Sequence, residues 1–385
     1  MLRMDLPTLA DWLRLQATPG VGTRRASALL AAFETPERVF AQTVTGLAAW
    51  VPVAVARALK QMPEGIPTLA QSCIEWSHQA PESRRILIQT SADYPRALLQ
   101  LADAPLVLYC TGPPEGWHRH WLNPADNRCL AVVGSRNPCQ QGARNARTFS
   151  QELADKGITI VSGMALGIDG EAHAGALASR FANQQNGART IAVIGTGPDR
   201  AYPSAHRKLA QAIARAGFVI GEYPPGVGPL PQHFPQRNRI IAGLCKGTLV
   251  VQATLQSGSL ITAQLALDGG KDVLAIPGSI HSPQSKGCHA LIRQGAKLVD
   301  SAQDILDELW PDCTPCNPRQ TASAQADNAD SALLHALGFE PCTLDTLQTA
   351  TGLDTATLQV QLMALELEGH IQRLPGGRFQ RIGRP

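Results

Sequence analysis

Residues 129–163 read CLAVVGSRNPCQQGARNARTFSQELADKGITIVSG, and their apolar pattern points to a fold class. The apolar run Leu130–Val133 leads into a glycine turn, and a helical stretch, Gly142–Lys156, follows it. A second apolar run, Ile158–Val161, then ends at Ser162-Gly163. Two fully apolar strands joined by a helix predict a βαβ unit in a parallel sheet covered by helices on both faces.

The same alternation continues along the chain to about Leu309. The further apolar runs are Ile191–Ile194, Phe218–Ile220, Thr248–Val251, Val273–Ile276 and Lys297–Val299. The further helical stretches are Gly170–Ala182, Ser204–Ala216, Ile240–Lys246, Leu260–Leu267 and His289–Gln294. We therefore predict a doubly wound α/β domain, in which ligands bind beyond the carboxyl ends of the strands.

Other segments flank this domain. Residues 1–82 carry apolar positions at helical spacing and predict a small helical domain, with a tight turn at Thr18–Gly22 before Arg24 and Arg25. The turn has two interpretations, a phosphate-binding hairpin or a simple helix–helix connection. Residues 86–111 hold two apolar runs. We predict that they form a connecting piece that packs on the following α/β core, and we assign both to one domain of residues 83–310.

Residues 311–330 are rich in Pro, Ala, Asn and Asp and predict a linker. Residues 331–385 then predict a winged-helix domain. Its helices are expected at Ser331–Leu337, Leu344–Thr349 and Thr355–Glu368, and its wing at His370–Leu374 and Arg378–Ile382. Because the third helix carries no Lys or Arg, we expect a protein-contact or regulatory role for this domain.

Composition excludes several classes of protein. Hydrophobic residues make up 44% of the 385 and charged residues 17%, which excludes a wholly disordered chain. The nine cysteines form no disulfide framework, and Cys313 and Cys316 have zinc-ligand spacing without a second pair, so an incidental linker feature is favoured over zinc. With no membrane-spanning run and with Asp5 and Asp11 near the start, we expect an intracellular, cytoplasmic protein.

Glycine and small polar residues follow five of the predicted strands. These loops are Gly134-Ser135-Arg136, Ser162-Gly163, Gly195-Thr196-Gly197, Gly221–Gly226 and Ser257-Gly258-Ser259. Glycine lets a ligand approach the backbone closely, and the helix that follows offers unpaired N–H groups to an anion. Helix entry alone also selects Gly and Ser, but five such loops at one edge predict an anion-binding site.

The charge pattern narrows the choice of anion. The loop Gly195-Thr196-Gly197 does not match the dinucleotide-binding fingerprint, because Arg200 occupies the position of the third glycine. The chain also has no P-loop sequence, which excludes a P-loop nucleotide hydrolase. Between Glu222 and Asp268 the sequence holds basic residues and no carboxylate, and two of them, Arg237 and Arg239, stand near a helix start. Because cations there oppose the helix dipole, an anion between them is expected, and a polyanionic strand fits best.

These motifs resemble the DNA-processing protein A (DprA, or Smf) family. The motifs that carry the resemblance are Gly134-Ser135-Arg136, Ser162-Gly163 with Gly167-Ile168-Asp169 and His173, Gly195 and Gly197 with Tyr202-Pro203, Phe234–Gly243, Ser257–Ala263 and Pro277-Gly278. The resemblance covers about residues 94–307. It implies an extended Rossmann-like core that dimerises, binds single-stranded DNA without catalysis and loads the RecA recombinase during natural transformation.

Together, the resemblance and the loop pattern assign twelve residues to DNA binding, with no metal and no cofactor. They are Gly134, Ser135, Arg136, Ser162, Gly163, Gly197, Arg237, Asn238, Arg239, Lys246, Ser257 and Gly258. Three departures from the family pattern, at His206, Gln252 and Cys288-His289, leave base contacts open.

An enzyme is the alternative interpretation. Asp169 and His173 lie four residues apart and suit an acid–base pair, although capping and packing explain them equally well. A phosphoribohydrolase-like enzyme on a related core needs a carboxylate near the glycine loops, where this chain has Gln252. Release of free base from nucleoside monophosphates would favour that enzyme.

Overall fold

The computed structural model describes residues 4–114, 127–179, 190–311, 333–334, 336–337 and 341–381. The chain divides into two compact units, residues 1–311 and 312–385. None of the helices within the described residues is long and apolar enough to cross a membrane.

Six short helices come first in the larger unit. They are α1 (Leu6–Ala17), α2 (Gly22–Phe33), α3 (Pro36–Ala41), α4 (Val44–Leu47), α5 (Val53–Leu59) and α6 (Ile66–His78). Local chemistry explains where several of them begin. The side chains of Asp5, Thr35 and Thr43 accept hydrogen bonds from free N–H groups in the first turns of α1, α3 and α4.

A nine-stranded sheet forms the centre of this unit. Its strands are β1 (Arg84–Ile88), β2 (Val107–Thr111), β3 (Cys129–Val133), β4 (Thr159–Ser162), β5 (Thr190–Ile194), β6 (Phe218–Gly221), β7 (Gly247–Val250), β8 (Asp272–Ala275) and β9 (Lys297–Leu298). The spatial order is β1-β2-β6-β5-β4-β3-β7-β8-β9. The strands from β3 to β9 are parallel, as predicted from the apolar runs.

Helices on both faces connect the parallel strands. They are α7 (Gln140–Asp155), α8 (Ile168–Leu177), α9 (Arg207–Ala216), α10 (His233–Leu244), α11 (Ser259–Asp268), α12 (Lys286–Arg293) and α13 (Ala302–Leu309). Within the described residues, short 3₁₀ segments lie in the connecting loops, at Arg96–Gln100, Ser204–His206 and Pro283–Ser285. From β3 the chain winds outward through β4, β5 and β6, and it then returns to the other side of β3 as β7. The winding direction therefore reverses between β3 and β7.

Alternate residues of β3 build two different cores. Cys129, Ala131 and Val133 pack on the face that carries α10, α11 and α12. Leu130 and Val132 pack on the opposite face, with α7, α8 and α13. A strand buried on both faces has no polar positions to alternate with, which explains its continuous apolar sequence.

The region of residues 86–111 differs from its prediction as a connecting piece. β1 pairs antiparallel with β2, and β2 pairs antiparallel with β6, so both strands extend the sheet. Ile86, Ile88, Leu106, Val107 and Tyr109 share one buried core with the six N-terminal helices. The helical segment therefore packs on the end of the sheet and has no separate core.

The smaller unit has a winged-helix arrangement within its described residues. Its helices are Leu344–Thr351 and Thr355–Leu367, and its strands are β10 (Cys342–Thr343), β11 (Ile371–Leu374) and β12 (Arg378–Arg381). β11 and β12 form the predicted hairpin, and β10 adds a third strand beside β12. Of the expected helix Ser331–Leu337, residues 333–334 and 336–337 are described, and they are helical.

The shared core predicts that the helical segment is required for folding of the sheet. A chain of residues 83–311 would expose the five apolar side chains of β1, β2 and the loop before β2. Each loses about 1.5–3 kcal/mol of burial, and the sum approaches the roughly 5–15 kcal/mol that stabilises a domain. We expect this fragment to bind a hydrophobic dye and to lack a cooperative thermal transition.

The matched control is a chain of residues 1–311, which keeps the whole larger unit. It should unfold cooperatively, as followed by circular dichroism. A cooperative transition in the 83–311 fragment would contradict the shared-core interpretation.

Candidate nucleic-acid interface

The reversal of winding between β3 and β7 opens a cavity of about 460 Å³ at the carboxyl edge of the sheet. Loops that leave adjacent strands toward opposite sides separate there, so the space between them is a standard ligand position in open α/β sheets. The lining residues are Val133, Gly134, Ser135, Arg136, Asn137, Ala165, Asp169, Phe234, Pro235, Arg237, Asn238, Ile241, Thr254, Ser257, Gly258, Ser259, Ile261 and Thr262.

The loop after β3 forms one wall. The Ser135 N–H donates to the Gln252 carbonyl at 2.7 Å, and the Asn137 N–H donates to the Ser135 hydroxyl at 3.1 Å. A Cβ at Gly134 would lie 2.7 Å from Ile168 and 2.9 Å from the Gln252 carbonyl, so glycine is required by close packing. This wall fixes the backbone beneath Arg136, whose side chain is exposed.

Arg237 lies at the back of the cavity and is only 4% exposed. Its Nη1 donates to the Val193 carbonyl at 2.7 Å, while its Nε has no partner in the structure. Burial lowers the pKa of Arg237 to about 10, with Asp169 opposing the change and Arg136 adding to it. The guanidinium therefore remains charged at neutral pH.

Gly163 makes room for that guanidinium. A Cβ at Gly163 would overlap with the Arg237 guanidinium, so only glycine fits at the end of β4. Gly163 was predicted as a DNA contact because glycine admits a ligand. The structure shows that the group it admits is the protein's own arginine.

Asp169 supports the same loop from the first turn of α8. Its Oδ2 accepts hydrogen bonds from the N–H groups of Gly163 and Ala165, both at 3.2 Å. Burial raises the pKa of the Asp169 carboxyl, and the nearby Arg237 and these hydrogen bonds oppose that rise. The cavity thus contains a carboxylate that partly offsets the charge of Arg237.

The placement of Arg239 corrects a prediction. Residues two apart on a helix point about 200° apart, so Arg239 leaves α10 on the side away from Arg237. It forms a buried ion pair with Glu222 and lies 3.6 Å from Asp103. The stretch after Glu222 is free of acids in the sequence but not in space, and Arg239 lies outside the cavity lining with its charge paired.

Lys246 is a second correction. It directly precedes β7, and its N–H donates to the carbonyl of Cys129 at the start of β3. Lys246 therefore lies at the amino edge of the sheet, opposite the cavity. Its ammonium lies 5.8 Å from the centre of the Trp310 ring.

Ser162 and Gly197 also lie outside the cavity lining. The Ser162 hydroxyl is buried and donates to the Val132 carbonyl at 2.6 Å. The Gly197 N–H donates to the Val227 carbonyl at 2.9 Å, and a Cβ at Gly197 would lie 2.5 Å from the Pro224 carbonyl. Both residues hold loops in place, which is a structural role.

Seven of the twelve predicted residues line the cavity, and six further polar or aromatic residues line it as well. The seven are Gly134, Ser135, Arg136, Arg237, Asn238, Ser257 and Gly258, and the six are Asn137, Asp169, Phe234, Thr254, Ser259 and Thr262. Four of the six, Asp169, Phe234, Ser259 and Thr262, lie within sequence motifs named above but were not assigned to DNA binding. Asn137 directly follows such a motif, and Thr254 had no signal in the sequence.

Aromatic rings are concentrated at this edge, although they make up only 5% of the chain. Tyr202 is 46% exposed, and its ring centre lies 5.3 Å from that of Phe234 in the cavity wall. Tyr223 and His233 stack at 3.7 Å beside them. Low overall aromatic content therefore does not argue against base stacking here.

Of the residues that depart from the family pattern, His206, Gln252 and His289 contact loop backbone and Cys288 packs in the core, and none of them lines the cavity. His206 Nδ1 lies 3.0 Å from the Met164 carbonyl, and Gln252 Oε1 accepts from the Cys139 N–H at 3.0 Å. Cys288 is buried, and His289 Nε2 lies 3.0 Å from the Gly278 carbonyl. These side chains position loops.

The structure also shows where the residues of the alternative acid–base and zinc sites lie. His173 is buried with its Nδ1 2.6 Å from the Thr190 hydroxyl, and burial lowers its pKa to about 3. His173 does not line the cavity, so Asp169 and His173 do not form an acid–base pair there. Cys313 and Cys316 lie outside the described residues, and within these residues no group of three or more His, Cys, Asp or Glu is placed to hold a metal.

Two family models match the chain. The model described as DNA recombination-mediator protein A matches residues 85–310, and the model described as DprA winged helix domain matches residues 317–377. The first description names a mediator of DNA recombination and no catalysed reaction. It agrees with the prediction of a non-catalytic protein.

Similar proteins carry matching descriptions. Protein Smf of Escherichia coli K12 is 39% identical over 318 residues, covering 80% of this chain and 79% of its own. DNA processing protein DprA of Streptococcus pneumoniae R6 is 48% identical over 216 residues, covering 56% of this chain and 71% of its own.

Two solved structures of DNA processing protein A are also similar to this chain. DprA from Streptococcus pneumoniae superposes with a TM-score of 0.59 at 34% identity, over 80% of this chain and 99% of that one. DNA processing protein A from Helicobacter pylori, described with a single-stranded DNA binding mode, gives 0.50 at 28% identity, over 60% and 96%.

The buried position of Arg239 leads to a stability prediction. Replacing Arg239 by Ala leaves Glu222 buried without its partner, and we expect a loss of about 3–5 kcal/mol in the free energy of unfolding. Urea denaturation measures this. The exposed Arg136→Ala variant should change it by about 0.5 kcal/mol or less.

A double variant tests the cause of that loss. Arg239→Met combined with Glu222→Leu removes both buried charges and should regain most of the lost stability. If Arg239→Ala unfolds at the wild-type urea concentration, the buried ion pair is not a stabilising contact.

Proposed function

Because the chain belongs to the DNA recombination-mediator protein A family, we propose that it binds single-stranded DNA in the cavity between β3 and β7 as a non-catalytic recombination mediator. The main observation behind this proposal is that Arg136 and Arg237 both line the cavity where the winding of the sheet reverses between β3 and β7. Arg136 is free to move toward a phosphate, whereas Arg237 is held in place.

The phosphate contacts follow from the groups in the cavity wall. Arg136 supplies an exposed cation, and the buried guanidinium of Arg237 supplies a second positive charge behind it. The hydroxyls of Ser257 and Ser259, 2.7 Å apart, lie across from them with Asn238. Cations and neutral donors around one space suit the oxygens of a sugar–phosphate backbone.

The size of the cavity favours a single strand. A volume of about 460 Å³ falls in the range of small-ligand sites. Such a space admits a nucleotide from a flexible strand and excludes a stiff duplex. Tyr202 and Phe234 at its edge give bases a surface for stacking, which is typical of sequence-tolerant binding.

Two side chains support the non-catalytic part of the proposal. Asp169 accepts two backbone hydrogen bonds and already faces the Arg237 guanidinium, so it is a poor stabiliser of a ribosyl cation. Gln252, which a hydrolase would replace with a carboxylate, holds the Cys139 amide. We therefore do not favour the phosphoribohydrolase-like enzyme.

The finer points of the proposal rest on the family resemblance. A recombination mediator transfers its strand to a recombinase, so we propose that this protein loads RecA onto single-stranded DNA during natural transformation. We further propose that it acts as a homodimer in the cytoplasm.

The salt dependence of DNA binding distinguishes the two ends of the sheet. Replacing Arg136 by Ala should weaken binding of an oligothymidine by about tenfold, or about 1.4 kcal/mol, through loss of one charged hydrogen bond. The slope of log K against log salt should fall by about 0.7, the value for one phosphate of a single strand. Fluorescence anisotropy at several salt concentrations measures both quantities.

Lys246→Ala is the matched control. It removes the same charge from an exposed residue at the opposite edge of the sheet, and it should leave affinity and slope near the wild-type values. Equal effects of the two variants would mean that binding follows net charge and not the cavity.

The separation into two units gives a second test. A chain ending at Pro311 should keep most of the affinity for single-stranded DNA, because the cavity belongs entirely to the larger unit. We expect a change within about threefold, which corresponds to less than about 0.7 kcal/mol. A larger loss in the same anisotropy assay would assign DNA contacts to the winged-helix unit.

A further inference from the structure

The loop after β4, Gly163–Gly167, runs between the two cations of the cavity. At its first residue, the Arg237 guanidinium occupies the space that a Cβ of Gly163 would fill. At its last residue, a Cβ of Gly167 would lie 2.7 Å from the backbone of Arg136. A change in the conformation of this one loop would therefore move the two cations relative to each other.

The middle of this loop has an unfavourable backbone conformation. Met164 has a φ of 59°, in the left-handed region that residues with a Cβ rarely adopt. Its side chain is buried in a small core with Ala192 and Ile194, so glycine, which would relax the backbone, would leave a hole there. A conformation of this kind persists only where the surrounding structure holds it.

Two side chains hold the peptide group between Met164 and Ala165 from its two ends. The Ala165 N–H donates to Asp169 Oδ2 at 3.2 Å, and the Met164 carbonyl lies 3.0 Å from His206 Nδ1. Because a carbonyl oxygen only accepts, this contact places a proton on Nδ1 of His206. His206 follows β5 in the chain, so the hydrogen bond joins two neighbouring loops at the carboxyl edge of the sheet.

The first turn of α8 leaves room for the imidazole ring. A Cβ at Gly170 would lie 2.7 Å from Cε1 and 3.0 Å from Nε2 of His206. Glycine lowers the stability of a helix relative to alanine, because it adds backbone freedom to the unfolded chain. The ring gives a physical reason for glycine here, and packing on α8 fixes its position as well as the hydrogen bond does.

We propose that His206 is a positioning residue for DNA binding, which holds the Met164 carbonyl and thereby keeps Arg136 and Arg237 in their relative positions. His206 is not among the described residues that line the cavity, so it acts through the loop and not by touching the strand. The bond survives protonation of the ring, since the second proton is taken up by Nε2. This inference rests on the proposed binding of DNA in the cavity.

Two substitutions of His206 test the hydrogen bond. His206→Ala should weaken binding of an oligothymidine by about three- to tenfold, the range for loss of one neutral hydrogen bond. His206→Asn should keep the affinity within about twofold, because its side-chain N–H donates from nearly the same place as Nδ1. Fluorescence anisotropy measures both affinities, and circular dichroism checks that each variant is folded.

The control is His78→Ala, which removes an imidazole from the last turn of α6 and should bind as the wild type does. An equal loss of affinity in His206→Asn and His206→Ala would mean that the imidazole itself contacts the strand, and it would overturn the proposal. Wild-type affinity in His206→Ala would overturn it too.

A second substitution on α8 tests the position of the ring. Gly170→Ala should displace the imidazole and weaken DNA binding about as much as His206→Ala does, although alanine favours the helix. Asparagine has no counterpart of Cε1 and Nε2, so Gly170→Ala should change the affinity less than twofold in the His206→Asn background. Such coupling is expected only when the two residues act together, and additive effects would contradict the proposal.

Hydrogen exchange without DNA separates this inference from the proposed function. In His206→Ala the Ala165 amide should exchange at least about fivefold faster than in the wild type, as followed by mass spectrometry, because its peptide group is held at one end only. In His206→Asn it should exchange at the wild-type rate. An unchanged Ala165 amide in His206→Ala overturns the positioning role whatever the DNA affinity is. If Arg136→Ala binds DNA as the wild type does, the proposed function fails instead, and faster exchange would still show that His206 holds the loop.

Discussion

The position of one guanidinium organises the cavity edge at which we propose DNA binding. Arg237 extends from α10 over Gly163 at the end of β4, and it donates to the Val193 carbonyl in β5. Asp169 faces it from α8 while holding the backbone of the same loop. Two strands and two helices must be correctly assembled before this cation is in place. The protein therefore presents a preorganised donor that loses little side-chain entropy when a phosphate arrives.

The topology explains why the cavity forms beside this residue. The loops after β3 and β7 leave in opposite directions, so nothing in the sheet fills the space between them. Hydrogen bonds still connect the two loops, since Ser135 and Cys139 both bind Gln252. A rigid backbone thus surrounds an open space, and the exposed side chain of Arg136 is the mobile part of the site. The fold fixes the shape of the cavity, and the flexible side chain of Arg136 adjusts to a bound strand.

Sequence reasoning predicted the sheet well because parallel strands buried on both faces are continuous apolar runs. It missed the joining of β1 and β2 to the sheet, since β1 pairs with β2 and only β2 pairs with β6, whose residues are distant in the chain. In the site, the glycine loops were found, but Arg239 and Lys246 were misplaced. Each error had a geometric warning in the sequence: Arg239 stands two positions from Arg237 on a helix, and Lys246 precedes a strand whose carboxyl end forms the site. The partners Glu222 and Asp103 of Arg239 were not predictable, because only the folded chain brings them together.

The correction of Arg239 changes the electrostatic description of the site in a way that suits a mediator. An edge with three unopposed arginines would hold a polyanion tightly. Among the described residues that line the cavity there is one exposed cation, Arg136, and one buried cation, Arg237, whose charge is partly offset by Asp169. Since each phosphate contact adds to both affinity and salt sensitivity, fewer free cations mean a lower total affinity and easier release of the strand. A protein that must transfer its strand to another protein needs reversible contacts of this kind, whereas a protein that only stores DNA does not.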